Sequence, residues 1–155
     1  MEFKFRTADF SDAAILAEFN CRLAWESEQR QLDRDLVLAG VQGGLQRYPE
    51  VRYFVAETDE LVIGQLMLTR EWSDWRNGWM IWLQSVYVQS DCRRRKVFQR
   101  LLQFATAVVQ QEDNPVCLRL YVEHNNAAAQ ECYRNLGFRD AGYLVMEQPL
   151  RPAAH

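Results

Sequence analysis

One stretch near the middle of the chain governs its interpretation: Val86-Tyr87-Val88-Gln89-Ser90-Asp91-Cys92-Arg93-Arg94-Arg95-Lys96-Val97-Phe98. An apolar run ends at Val88, polar and basic residues follow, and the apolar spacing of a helix begins at Val97. We therefore predict a buried strand, a basic turn and a helix start in succession. The first turn of a helix has unpaired N–H groups and a partial positive charge, which attract phosphates. Because four basic residues precede this helix, the turn is a candidate site for a diphosphate.

The rest of the composition narrows the choice of function. The chain has 155 residues, of which 48% are hydrophobic and 25% charged, and these values suit a single globular domain. A net charge of −3 argues against a nucleic-acid or anionic membrane partner. The N-terminus does not resemble a signal peptide, and no apolar run is long enough for a membrane span. The four cysteines and two histidines form no metal-like cluster, so we expect reduced thiols, no metal and a cytoplasmic location.

Apolar periodicity and turn signals predict a mixed α/β (α+β) sheet of about six to seven strands flanked by about four helices. The predicted order is β-α-α-β-β-β-α-β-α-β. The strands are expected at 3–6, 53–56, 61–69, 79–88, 116–122 and 143–148. The four helices are expected around 15–23, at 33–45, 97–111 and 126–136, the last of them ending at Gly137.

Two motifs in this order resemble those of the GNAT superfamily of N-acetyltransferases. The family's pyrophosphate motif, Arg/Gln-x-x-Gly-x-Gly/Ala, aligns with Arg93 to Phe98, shortly after a Val-x-Val strand end. The family's next motif is similar to Asn126-x-x-Ala129-x-x-x-Tyr133-x-x-x-Gly137-Phe138. The two motifs cover residues 79–138. The resemblance implies a GNAT fold in which residues 1–150 form one N-acetyltransferase domain and 151–155 a short tail.

The resemblance also implies that acetyl-coenzyme A lies between two splayed parallel strands. The backbone of Val86 and Val88 would pair with the pantetheine arm, and Asn126 would hydrogen-bond that arm. The pyrophosphate would bind the turn, at Arg93, Arg94, Arg95, Lys96, Val97 and Phe98. Lys96 stands at the family's first glycine and Phe98 at its second small residue, so Lys96 either adds a cation or crowds the phosphate.

Tyr133 aligns with the family's general acid, which protonates the departing thiolate. A phenol can supply that proton only when it is held close to the sulfur and desolvated. Ala129, Cys132, Tyr133 and Leu136 also form an apolar stripe, so the tyrosine is equally a candidate core residue. Both interpretations hold together if the ring is buried and the hydroxyl faces the sulfur.

The acceptor amine must lose a proton, for which a carboxylate or a carboxylate-held water is needed. Glu71 and Asp74 are expected just past the end of a central strand, at the start of a loop. Glu26 and Glu28 are expected between the first two helices, on the acceptor side in the family. Spacing does not choose among these four carboxylates, and each is also a candidate for an ordinary surface residue.

Four of the five tryptophans lie within eleven residues, Trp72 to Trp82. Trp79 and Trp82 fall on opposite faces of a central strand, and we expect them to serve core packing. Trp72 and Trp75 are expected in the preceding loop. Aromatic walls beside carboxylates suit a cationic amine, so these two are candidate acceptor contacts.

The leading hypothesis is therefore an acetyl-coenzyme A-dependent N-acetyltransferase. It would act on a primary amine of a small molecule or peptide by direct attack in a ternary complex. A catalytically degenerate module that binds acyl-coenzyme A or a protein stays open because of Lys96. A nucleic-acid patch at Arg93 to Lys96 is disfavoured by the acidic net charge and the shortness of the run. The resemblance also allows a homodimer.

Overall fold

The computed structural model describes residues 2–152, which divide into a larger compact unit ending at Tyr121 and a smaller one beginning at Val122. The larger unit contains all five strands of the described chain, β1 (Lys4–Thr7), β2 (Val51–Thr58), β3 (Leu61–Ser73), β4 (Gly78–Val88) and β5 (Pro115–Leu120). They form one sheet in the order β1-β2-β3-β4-β5. Every neighbouring pair is antiparallel except β4 and β5, which are parallel.

Three helices cover the sheet in this unit: α1 (Ala13–Glu28), α2 (Arg34–Leu45) and α3 (Val97–Glu112). Asp33 caps α2 by accepting hydrogen bonds from the N–H groups of Asp35 and Leu36, a role suited to a short acidic side chain at a helix start. One core cluster joins α1 and α2 to the β2 side chains Tyr53 and Val55.

Alternation along β2 sends the intervening residue to the other face of the sheet. There the fully buried Phe54 contacts Phe104 of α3, with ring centroids 6.2 Å apart. The buried residues of α3 lie along one side of the helix: Val97, Leu101, Leu102, Ala105 and Val109. The sheet is therefore covered by helices on both faces.

The smaller unit contains α4 (Ala127–Asn135). The Asn126 side chain caps this helix by accepting a hydrogen bond from the N–H of Ala129 at 3.1 Å. Gly137, at φ 92°, follows the helix in the left-handed conformation expected of a terminating glycine. The Tyr133 and Phe138 rings meet edge to face, with centroids 5.7 Å apart.

The fold class is confirmed, but the predicted number of strands is too high. The described residues form five strands rather than six to seven, and no strand is assigned to residues 143–148. We predicted that strand from its apolar composition alone, whereas a strand is defined by pairing with a neighbour. Leu144, Val145 and Met146 are all exposed, so neither face of this segment is buried. The one-domain division over 1–150 stays a prediction, and residues 153–155 of the predicted tail lie outside the described part.

A second correction concerns the length of β3. We predicted its end at Thr69, but β3 pairs with β4 as far as Ser73 opposite Gly78. Glu71 and Trp72 consequently lie on the strand rather than in a loop, while Asp74 and Trp75 lie in the turn. The cause is the tight turn at Asn77, φ 48°, which lets the two strands pair almost to its tip.

A cluster of ion pairs ties the end of α3 to the sheet. The carboxylate of Asp113, which follows α3, accepts hydrogen bonds from Arg52 on β2 at 2.6 Å and Arg70 on β3 at 3.0 Å. The side chains of Arg52 and Asp113 are only 2% and 5% exposed. Asp113 also stands two residues before β5, so these bonds fix the place where β5 enters the sheet.

We expect Asp113→Asn to lower the free energy of unfolding by about 3 kcal/mol, since it leaves two largely buried guanidinium groups without this carboxylate. Glu50→Gln is the matched control. It removes the same charge from a partner of Arg70, but Glu50 is 61% exposed, so the expected loss is under about 1 kcal/mol. Urea denaturation measures both variants, and equal losses would contradict the assignment.

Candidate active site

The last residues of β4 have one edge that no described strand covers. In the described part of the chain, pairing between β4 and β5 ends at Leu83 and Leu120, although β4 continues to Val88. The N–H of Gln89 donates to Ile63 on the β3 side at 2.8 Å. Because N–H directions alternate along a strand, the N–H groups of Val86 and Val88 face away from β3. The two valines chosen from sequence therefore lie on the open edge.

A bulge in β4 lies immediately before this edge. Ser85 has a left-handed φ of 52°, and the β3–β4 register shifts beside it. The fully buried Gln65 of β3 fixes the bulge by donating to the Ser85 carbonyl at 3.1 Å. The same amide group donates to Asn20 of α1 at 2.7 Å. Neither Gln65 nor Ser85 was selected from the sequence, because no local pattern marks a left-handed serine within an apolar strand.

The backbone of the basic turn is left-handed at position 96, where the family motif has a glycine. After a short 3-10 helix at Ser90–Cys92, Arg94 and Lys96 both adopt left-handed conformations, at φ 61° and 60°. Lys96 is the N-cap of α3, and its side chain does not cap the helix. The start of this helix carries a partial positive charge, which attracts anions. Val97 is buried and Phe98 is half-buried. The Phe98 side chain, which stands at the motif's second small residue, therefore lies partly inside the protein.

All four basic side chains are exposed, and Arg93 has partners in α1 and β4. The Arg93 Nε donates to the Val88 carbonyl at 2.8 Å, and a terminal nitrogen donates to Glu26 at 2.5 Å. Its guanidinium lies 5.4 Å from the centre of the Tyr87 ring. Arg93 therefore joins the open edge of β4 to the C-terminal turn of α1.

Glu26 receives a second hydrogen bond, from the Tyr87 hydroxyl at 2.9 Å. Burial acts to raise the pKa of Glu26, but the hydrogen bonds from Arg93 and Tyr87 outweigh it and hold that pKa below its usual range. The pKa of Tyr87 is raised by burial and by Glu26. At neutral pH the pair is therefore a carboxylate and a neutral phenol. Sequence analysis missed Tyr87, because its partner lies 61 residues away.

Glu26 and Glu28 lie in the last turn of α1 rather than in a connecting segment, because α1 extends to Glu28. All four candidate carboxylates are exposed. Glu71 accepts a hydrogen bond from the Trp82 indole N–H at 3.2 Å. The structure thus brings Glu26 to the basic turn and Glu71 to the aromatic residues of β4.

The tryptophans divide between the two faces of the sheet. Trp72 meets Trp79 edge to face at 5.0 Å, and Arg70 lies 4.2 Å from the centre of the Trp79 ring. On the other face, half-buried Trp82 stacks on Tyr121 at 4.5 Å. Trp75 is 87% exposed. Trp82 is therefore not enclosed in the core, and it adjoins a candidate acceptor carboxylate.

In the smaller unit, burial and the neighbouring Cys132 raise the pKa of Tyr133 above its ordinary value near 10. The hydroxyl is therefore protonated at neutral pH, as a proton donor must be. Asn126 uses its side-chain oxygen as the helix cap. Among residues 2–152, no three His, Cys, Asp or Glu side chains are grouped to hold a metal ion. Over the same residues no helix combines the length and apolarity of a membrane span.

Comparison with known proteins agrees with the class that the fold and the turn indicate. The chain belongs to the Acetyltransferase (GNAT) family, whose family model matches residues 14–138, and it is an acyltransferase. No curated protein matches it significantly.

Solved structures extend the likeness across the chain. A possible acetyltransferase from Clostridium difficile 630 is 35% identical with a TM-score of 0.89, over 98% of this chain and 100% of that one. A predicted acetyltransferase with acetyl-CoA from Clostridium acetobutylicum is 16% identical with a TM-score of 0.79, over 94% and 96%. An aminoglycoside acetyltransferase from an uncultured soil metagenomic sample, in complex with sisomicin, is 12% identical with a TM-score of 0.76, over 96% and 97%. The last two show likeness of fold alone.

We expect Lys96→Gly to raise the free energy of unfolding by about 0.5–1 kcal/mol, since glycine adopts the left-handed conformation without a Cβ penalty. Lys96→Ala is the matched control, because it removes the same charge and keeps the Cβ. It should give no such gain in urea denaturation. Equal stability of the two variants would show that position 96 is not held left-handed in solution.

Proposed function

We propose that this acyltransferase moves an acetyl group from acetyl-coenzyme A to a primary amine of a small molecule or peptide, by direct attack in a ternary complex. The observation that carries the proposal is the open edge of β4 at Val86 and Val88, which leads into an uncapped, basic helix start. The complex of the Clostridium acetobutylicum neighbour with acetyl-CoA supports this choice of donor.

The residues of the edge and turn fit an extended arm that ends in a diphosphate. N–H and carbonyl groups of Val86 and Val88 would bind the arm as a neighbouring strand would. The first-turn N–H groups at Val97 and Phe98, with the cations of Arg93 to Lys96, would hold the diphosphate. The Asn126 amide nitrogen would donate to the arm while its oxygen caps α4.

The coenzyme supplies a thioester carbonyl open to attack by an amine. In this proposal Tyr133 gives its phenolic proton to the departing thiolate, which is consistent with its raised pKa. A carboxylate takes the ammonium proton of the acceptor, directly or through water. All four carboxylates are exposed, and Glu26 and Glu71 are the stronger candidates because each accepts a side-chain hydrogen bond that holds it in place.

The acceptor side that we propose combines Glu71 and the Trp82–Tyr121 stack with Trp72 and Trp75. A carboxylate beside aromatic rings attracts a cationic amine. The sisomicin complex of the metagenomic neighbour supports an amine acceptor of this kind. A homodimer, a cytoplasmic location and the absence of nucleic-acid and membrane partners stay predictions.

Calorimetry should show coenzyme A binding to the folded wild-type protein with a dissociation constant in the micromolar range typical of enzyme substrates. The double variant Arg94→Gln/Arg95→Gln should bind at least about tenfold more weakly, since it removes two charge-assisted contacts. Absence of binding by folded wild-type protein would overturn the proposal. Binding with no transfer to any of a panel of amines would instead favour the degenerate module that Lys96 at the glycine position suggests.

Replacing Tyr133 by Phe should lower kcat about a hundredfold and leave the coenzyme dissociation constant unchanged, because only the proton donor is removed. Since the pKa of Tyr133 is raised, wild-type kcat should have no alkaline limb attributable to this residue below about pH 10. Stopped-flow or thiol-release assays across pH measure both effects. Unchanged kcat in Tyr133→Phe would remove the tyrosine from the mechanism.

A further inference from the structure

Arg93 stands between two anions that both require it. The motif assigns its guanidinium to the coenzyme diphosphate, whereas the structure places it on Glu26 at the end of α1. Its Nε occupies the Val88 carbonyl, which belongs to the edge proposed for the pantetheine arm. The single positive charge of one guanidinium cannot neutralise both a carboxylate and a diphosphate.

Glu26 has a support that does not depend on Arg93. The hydroxyl of the buried Tyr87 donates to one carboxylate oxygen, and Arg93 donates to the other. Tyr87 itself is fixed by its ring contact with Phe19 of α1, at 5.0 Å. If Arg93 moves to the diphosphate, Tyr87 therefore keeps Glu26 in place. The carboxylate loses its ion-pair partner, and only the weaker field of Arg22, one turn earlier on α1, still acts on it.

We infer that Glu26 and the coenzyme diphosphate compete for Arg93, so that coenzyme binding releases the Glu26 carboxylate to attract and deprotonate the acceptor ammonium. This inference rests on the proposed function and adds to it an order in which the coenzyme and the acceptor bind. The coenzyme binds first, and the acceptor ammonium then meets a Glu26 carboxylate that is no longer paired with Arg93. In this scheme Tyr87 and Arg93 are positioning residues for Glu26.

The two sites are then linked by a coupling free energy, which must act equally in both directions. An anionic Glu26 weakens coenzyme binding, and bound coenzyme makes Glu26 a stronger proton acceptor. The Arg93 and Glu26 side chains are 43% and 41% exposed, so the coupling is that of a partly solvated ion pair. Its expected size is about two- to fivefold in a dissociation constant.

The test measures binding of coenzyme A to folded variants by calorimetry. Glu26→Gln should tighten the dissociation constant about two- to fivefold, because Arg93 is no longer held. Glu50→Gln, the matched control, removes one negative charge from another arginine partner and should leave the constant unchanged. Dephospho-coenzyme A, which keeps the diphosphate, should show the same tightening with Glu26→Gln. In an Arg93→Gln background the effect of Glu26→Gln should vanish.

A second measurement uses the wild-type chain and needs no variant to fold. Carboxyl NMR should show the pKa of Glu26 rising when coenzyme A is added, as Arg93 leaves it. If wild-type protein binds coenzyme A but Glu26→Gln binds it equally or more weakly, or the Glu26 pKa does not rise, the competition is overturned and the proposed function stands. If folded wild-type protein does not bind coenzyme A, the proposed function fails and the competition with it.

Discussion

The unequal pairing of the central strand determines the rest of this structure. β4 is paired with β3 along its whole length but with β5 only from Trp79 to Leu83. Because β4 and β5 are parallel, their carboxyl ends lie at the same end of the sheet, and there they cease to pair. The edge of β4 near Val88 is consequently unpaired with any described strand, and the basic turn begins there.

Side chains from distant parts of the chain shape this opening. Gln65 fixes the bulge at Ser85, and Tyr87 connects the strand to α1 through Glu26. Arg93 returns from the turn to the same carboxylate. Hydrogen bonds thus join the basic turn to α1 within the larger unit, so a change of charge at one is expected to affect the other.

Local sequence patterns predict the elements that surround the candidate site. The strand, basic turn and helix at residues 86–98 follow from the change of apolar period and the absence of a break inside α3. The predicted start of α4 at Asn126 is close to the observed one, but its role as the helix cap was not predicted. What could not be predicted depends on contacts between remote residues. Arg93 and Glu26 are 67 residues apart, and no periodicity reports such a pair. The excess strand at 143–148 failed for the same reason, since composition cannot supply a pairing partner. The length of β3 depended on how closely its hairpin closes at Asn77.

The buried Arg52–Asp113–Arg70 cluster lies where β5 enters the sheet, at the end of β4 opposite to Val88. The ion-pair cluster and the candidate binding edge therefore lie at opposite ends of β4. A substitution in the basic turn acts far from the ion pairs that hold the start of β5. Lys96, which stands at the glycine of the family motif, can therefore be replaced or retained without disturbing the point where β5 enters the sheet.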